Sequence, residues 1–167
     1  MVTLVWLFIS SLQTYPESPY NISMLRLSIF IFILFKASFS FADFSPDGKQ
    51  ITFSLKVDGS SQIFIANSDG KQSTKISREN GEYFNPTWSP LGDMIAFSKS
   101  EGGNSYIGVM EVDGSNERMI TKGHLLENPS WANDGKRILF YKLDTNDNGG
   151  LYIIDITGFN ETLIKFN

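Results

Sequence analysis

The sequence predicts an all-β chain of three successive four-stranded antiparallel blades, an incomplete propeller ring, behind an apolar leader that is helical if ordered. Two periodicities lead there. Phe44-Ser45-Pro46-Asp47-Gly48-Lys49, Trp88-Ser89-Pro90-Leu91-Gly92-Asp93 and Trp131-Ala132-Asn133-Asp134-Gly135-Lys136 are near-copies whose turn glycines lie 44 and 43 residues apart. That step matches one four-stranded blade, which takes about 40 to 45 residues. A second series keeps the same step, in Ile63, Ile107 and Leu151, in Ile65, Val109 and Ile153, and in Ile76, Ile120 and Ile164. Around these positions apolar residues alternate with polar or small ones, the period of two that lays one side of a strand on a core.

The elements follow in order. Blades are expected at about 43–79, 80–122 and 123–167. In the first turn Pro46 supplies the fixed φ and Gly48 the positive φ that a tight turn needs. Asp69-Gly70, Asp113-Gly114 and Thr157-Gly158 mark a second hairpin in each blade. Each blade therefore reads strand, tight turn, strand, longer loop, strand, tight turn, strand. Phe44, Trp88 and Trp131 close the innermost strands, where a large flat side chain is expected to fill the space between neighbouring blades. Three blades give two inner seams and leave two outer faces bare, so either association or an unstable remnant is expected. Two copies stacked as three plus three would form a homodimer of half-rings.

Residues 1–42 differ in composition, with only Glu17, Arg26 and Lys36 charged and an uncharged apolar run from Leu27 to Phe35. Nine residues are too few to span a bilayer and suit the middle of a secretory signal. A start at Met24 puts the pieces in order over 24–42: Arg26, the apolar run, then Ser40-Phe41-Ala42 with small residues where a signal peptidase reads. Residues 1–23 then form an upstream extension, disordered or arising from a misassigned start. A membrane anchor or a dead leader are the alternatives, since Lys36 interrupts the late apolar region.

Charge and composition exclude several functions. Beyond residue 42 stand 12 Lys and Arg against 17 Asp and Glu, and an acidic repeat domain without a basic stripe is no nucleic-acid binder. The chain has no cysteine, hence neither a disulfide framework nor a thiolate metal site. His124 is the only histidine and reads as a surface loop residue; no Gly-x-Ser-x-Gly elbow accompanies the serines. No catalytic residue, metal site or cofactor is therefore assigned. Asp144-Thr145-Asn146-Asp147-Asn148-Gly149 resembles the start of a calcium loop, with Asp155 at the twelfth position. The same residues suit a metal-free hairpin loop, and Asp155 falls a whole strand away.

The run Asn85-Pro86-Thr87-Trp88-Ser89-Pro90-Leu91-Gly92-Asp93-Met94-Ile95-Ala96-Phe97, followed by Ile107-Gly108-Val109-Met110 and Glu117-Arg118, resembles the propeller of the TolB family. The likeness runs from about Phe44 to Phe166 and corresponds to the last half of that propeller. It implies a secreted, periplasmic, non-enzymatic protein of the Tol-Pal system, which holds the outer membrane inward during cell division. It implies Pal, a peptidoglycan-held lipoprotein, as partner. Docking to TolA is doubtful, because it belongs to an amino-terminal α/β domain that does not appear here. The leader's junction with Asp43-Phe44 reads as a large internal deletion in a secreted ancestor. By motif position the resemblance points to Phe84 and Asn85 before Trp88, and to Glu127 and Asn128 before Trp131, as the Pal-facing residues of the loops 80–85 and 123–128. Tyr83 and Leu126 are expected to add contact area, since exposed aromatic and polar loop residues favour interfaces. An accessory propeller of a peptidase-type assembly and a functionless gene remnant are the competing readings.

Overall fold

The computed structural model describes residues 42–146 and 148–165; the leader expected over 1–42 lies outside the described residues except for Ala42, which is the first residue of a strand. The described strands form three four-stranded antiparallel sheets. Blade 1 holds β1 (Ala42–Phe44), β2 (Gln50–Val57), β3 (Ser60–Asn67) and β4 (Thr74–Lys75). Blade 2 holds β5 (Glu82–Trp88), β6 (Met94–Glu101), β7 (Asn104–Glu111) and β8 (Arg118–Gly123). Blade 3 holds β9 (Leu125–Trp131), β10 (Arg137–Leu143), β11 (Gly149–Asp155) and β12 (Thr162–Leu163). In every sheet the strands lie side by side in chain order, so each joint is a hairpin.

The repeated turns close as their residues dictate. The amides of Gly48, Gly92 and Gly135 donate to the carbonyls of Ser45, Ser89 and Ala132 at 2.8–2.9 Å, each glycine at positive φ. The amides of Gly70, Gly114 and Gly158 do the same to Asn67, Glu111 and Asp155, at 2.8 Å in all three. Carboxylates clasp these turns. The Ser45 hydroxyl donates to Asp47 at 2.7 Å, and the amides of Lys71, Ser115 and Lys136 donate to Asp69, Asp113 and Asp134. The Ser45 hydroxyl foremost lowers the pKa of Asp47, and the Lys71 and Lys136 amides lower those of Asp69 and Asp134. A carboxyl depressed in the folded state contributes stability above the ordinary carboxylate range and loses it as pH falls through the folded value. On account of these groups the melting temperature is expected to hold level from neutral pH to about 5 and fall below about 4. Melts followed by circular dichroism check this, and a Asp47→Asn, Asp69→Asn, Asp134→Asn triple variant should show a shallower acid fall.

Two apolar seams lie between the sheets. In the first, Ile63, Ile65 and Ile76 of blade 1 meet Tyr83, Trp88, Ile95, Phe97 and Met110 of blade 2. In the second, Ala96, Ile107, Val109 and Ile120 of blade 2 meet Leu126, Ile138, Phe140 and Ile154 of blade 3, with Trp131 at the margin. Fully burying each such large side chain contributes about 1.5–3 kcal/mol. Gly108 pairs with Phe97 across β6 and β7, and a Cβ there would stand 2.5 Å from the Phe97 ring, so the glycine makes room for that ring.

Phe44 departs from the expectation that all three inner-strand aromatics fill a seam. Trp88 is 6% exposed but Phe44 is 61% exposed. Trp88 and Trp131 each face the preceding blade, and among the described residues no sheet precedes blade 1.

Candidate partner-binding site between the blades

Asn85-Pro86 and Asn128-Pro129 shape the inner strands. Asn85 and Asn128 adopt φ of 49° and 54°, a left-handed conformation asparagine tolerates better than most residues. Between Phe84 and Thr87 the pairing of β5 with β6 slips, and between Glu127 and Ser130 that of β9 with β10 slips likewise. Each Asn-Pro pair thus inserts the extra residue of a bulge, bending the strand and re-aiming its side chains.

The bulges bring equivalent residues of two blades together. The Asn85 side-chain amide donates to the Asn128 side-chain oxygen at 2.8 Å. Nearby, Asp43 accepts from the Thr87 hydroxyl at 2.8 Å and the Trp88 amide at 2.9 Å, and the Trp131 indole donates to the Thr87 carbonyl at 3.1 Å. These bonds stitch the three inner strands into one rim.

Beside the rim a crevice of about 190 Å³ opens between blades 2 and 3, lined by Phe84, Asn85, Ser98, His124, Leu125 and Glu127 among others. Phe84 and Asn85 are half-buried; Glu127 and Asn128 are exposed. Ser98 lines its wall, with its hydroxyl buried and without a hydrogen-bond partner. Ser98 escaped the sequence reading, although its register pairing with Phe84 follows once β5 and β6 are aligned. His124, expected as an ordinary surface residue, is exposed and lines the same crevice.

Tyr83 and Leu126 are corrected. They are 0% and 1% exposed, inside the two seams, and offer a partner no surface. The segments expected as loops are largely strand, because β5 starts at Glu82 and β9 at Leu125. A serine of the preceding blade pins each: Ser61 donates to the Tyr83 carbonyl at 2.8 Å, and Ser105 both accepts from the Leu126 amide at 2.9 Å and donates to its carbonyl at 3.1 Å. The Tyr83 hydroxyl donates to Glu117 at 2.6 Å; burial foremost, then this carboxylate, push the phenol far above its ordinary pKa.

Among the described residues no group of three His, Cys, Asp or Glu is placed to hold a metal. In the loop suggestive of calcium, Asp144 is occupied by the amides of Asn148 and Asn146, which with the Asn148 side chain hold its carboxyl below the usual range. Asp155 pairs with Arg137 at the far end of β11, bonded to Asn160 at 2.6 Å.

Successive sheets packed face to face, with a rim of inner strands carrying bonded polar residues, define a β-propeller array with an interblade crevice. The protein-family pattern described as the TolB beta propeller domain matches residues 38–167. The chain belongs to the TolB β-propeller domain family. The Tol-Pal system protein TolB of Orientia tsutsugamushi (strain Ikeda) is 49% identical over 57 residues, 31% of this chain and 13% of that protein. Among solved structures, a putative TolB from Agrobacterium tumefaciens superposes with a TM-score of 0.68 at 26% identity, covering 77% of this chain and 50% of the other. TolB from Acinetobacter baumannii gives 0.65 at 22% identity, over 75% and 32%, a likeness of fold. The chain thus spans half or less of the length of these proteins.

Proposed function

We propose that this chain is a non-enzymatic, protein-binding propeller segment of a periplasmic Tol-Pal system, and that it captures the lipoprotein Pal at the rim between blades 2 and 3. The observation that carries this reading is the convergence of Phe84 and Asn85 from one blade with Glu127 and Asn128 from the next, joined by the Asn85–Asn128 bond. A half-buried aromatic ring beside exposed polar groups is the mixture that protein interfaces favour. The names of the relatives supply the system, and the motif positions supply the face.

Purified chain is expected to capture Pal at micromolar concentration. Phe84→Ala combined with Glu127→Ala should weaken that capture about tenfold or more, corresponding to about 1.4 kcal/mol or more. Tyr83→Phe, altered only inside the seam, should leave capture by the folded protein unchanged. Calorimetric titration measures all three, and no binding by a folded sample overturns the reading.

A further inference from the structure

On the basis of the partner-binding reading above, we propose that the crevice between blades 2 and 3 receives one arginine side chain of the bound partner, its guanidinium lying on the Phe84 ring and pairing with the Glu127 carboxylate.

The crevice holds about 190 Å³, well under the roughly 300–1,000 Å³ of a small-molecule site. It has room for one long side chain. Protein interfaces are anchored by single side chains seated in a pocket of the other protein, most often Trp, Tyr or Arg.

Charge selects among these three. The charged or titratable residues lining the crevice are Lys99, His124 and Glu127. The Lys99 ammonium is already committed, 3.3 Å from Glu101 and 3.5 Å from Glu117. His124 lies near Asp144, whose carboxyl the Asn148 amide and side chain and the Asn146 amide hold below the usual range, with a smaller contribution from His124. Glu127 is exposed, and its carboxylate makes no ion pair or hydrogen bond among the described residues. The charge left without a counterpart is therefore negative, and the complementary occupant is a cation. The net charge of −4 on the chain steers approach in the same direction.

The hydrogen-bond inventory separates arginine from lysine. The Asn85 side-chain amide is spent on Asn128 at 2.8 Å, while its oxygen accepts nothing among the described residues. The buried Ser98 hydroxyl has no partner either, and Ser98 stands two residues from Ala96 on β6, so its side chain turns toward blade 3 as that of Ala96 does. Together with Glu127 these are acceptors in more than one direction. A guanidinium carries five N–H donors in one plane and no acceptor, and its face stacks on an aromatic ring. The Phe84 ring is half-buried in the crevice wall and pairs with no other ring among the described residues. A lysine ammonium, a compact point charge, would use neither the plane nor the ring as well.

His124 is the only histidine of the chain, so its ring proton is a single reporter at the crevice in a proton NMR spectrum. Titration of the full chain with N-acetylarginine amide is expected to shift this signal saturably in the millimolar range. N-acetylcitrulline amide, which keeps the shape and lacks the charge, should leave it in place. Glu127→Gln, at an exposed position, should weaken the arginine response about fivefold or more. Glu127→Arg should abolish capture of Pal, and one Arg→Glu variant of Pal should restore it. An unmoved His124 signal, an equal response to citrulline, a response unchanged in Glu127→Gln, or a scan of the arginines of Pal in which none restores capture overturns the arginine assignment. Capture of Pal alongside any of these leaves the partner reading standing without it; an arginine response as expected with no capture of Pal overturns the partner reading and supports the crevice chemistry.

Discussion

Lys99→Ala is expected to destabilise the chain by about 3–5 kcal/mol, because it leaves a carboxylate buried without its cation. The Lys99 and Glu117 side chains are 5% and 7% exposed, with nitrogen and oxygen 3.5 Å apart. Lys99 also reaches Glu101 at 3.3 Å and lies over the Tyr83 ring, 4.9 Å from its centroid. One Glu117 oxygen receives the Tyr83 hydroxyl and Lys99; the other is buried with no partner. Removing the cation therefore strands a carboxylate already short of donors. The repeat itself contains an uncharged alternative, since blade 1 carries Leu55 and Ser73 at the equivalent positions. The Lys99→Leu, Glu117→Ser double variant should recover most of the loss, because apolar replacement of a whole buried pair is often near neutral. Urea titration of both variants checks this, and a double variant no more stable than Lys99→Ala would show that the pair matters for more than its mutual compensation.

Phe97→Ala should cost about as much, roughly 3–5 kcal/mol, by opening a cavity in the first seam. Phe97 is 0% exposed, packed 5.3 Å from the Tyr83 ring between centroids and facing Gly108 across the strand pair. A glycine opposite has no side chain to move into the void, so the site collapses poorly. Phe53→Ala, at the same place in blade 1, should cost much less, because Phe53 is only half-buried and no further described sheet packs on it. Thermal melts of the two variants measure the contrast. Equal losses at the two positions would show that the seam does not decide the energetics.

Much of this fold was legible because its signals are local and repeated. Pro46 with Gly48, Asp113 with Gly114 and the alternation around Ile63 and Ile107 each act within a few residues, and a blade's four strands pair only with their chain neighbours. Sequence order therefore became sheet order without a long-range choice. The candidate site was legible only in part. The resemblance singles out Phe84, Asn85, Glu127 and Asn128 by their place before the Pro-x-Trp motif, and the structure brings these four side by side, which leaves their role as partner contacts a proposal. Tyr83 and Leu126 read as surface residues from sequence because their segments carry loop-like composition, whereas both sit in strands.

The reason is a phase change. Tyr83 and Trp88 are five residues apart, as are Leu126 and Trp131, so strict alternation puts the members of each pair on opposite sides of the strand. The bulges at Asn85-Pro86 and Asn128-Pro129 insert one residue and return both members to the same seam.

The amino-acid sequence by itself determined the blade as the repeating unit, its hairpins and the side of each strand that is apolar, because these follow from period and turn chemistry. Only the packing of one sheet on the next decided which apolar sides are covered, which inner-strand residues reach the rim, and that the Lys99–Glu117 pair is buried. Burial and pairing are properties of surfaces brought together from positions up to 45 residues apart, and no window on the chain as short as a strand contains both partners.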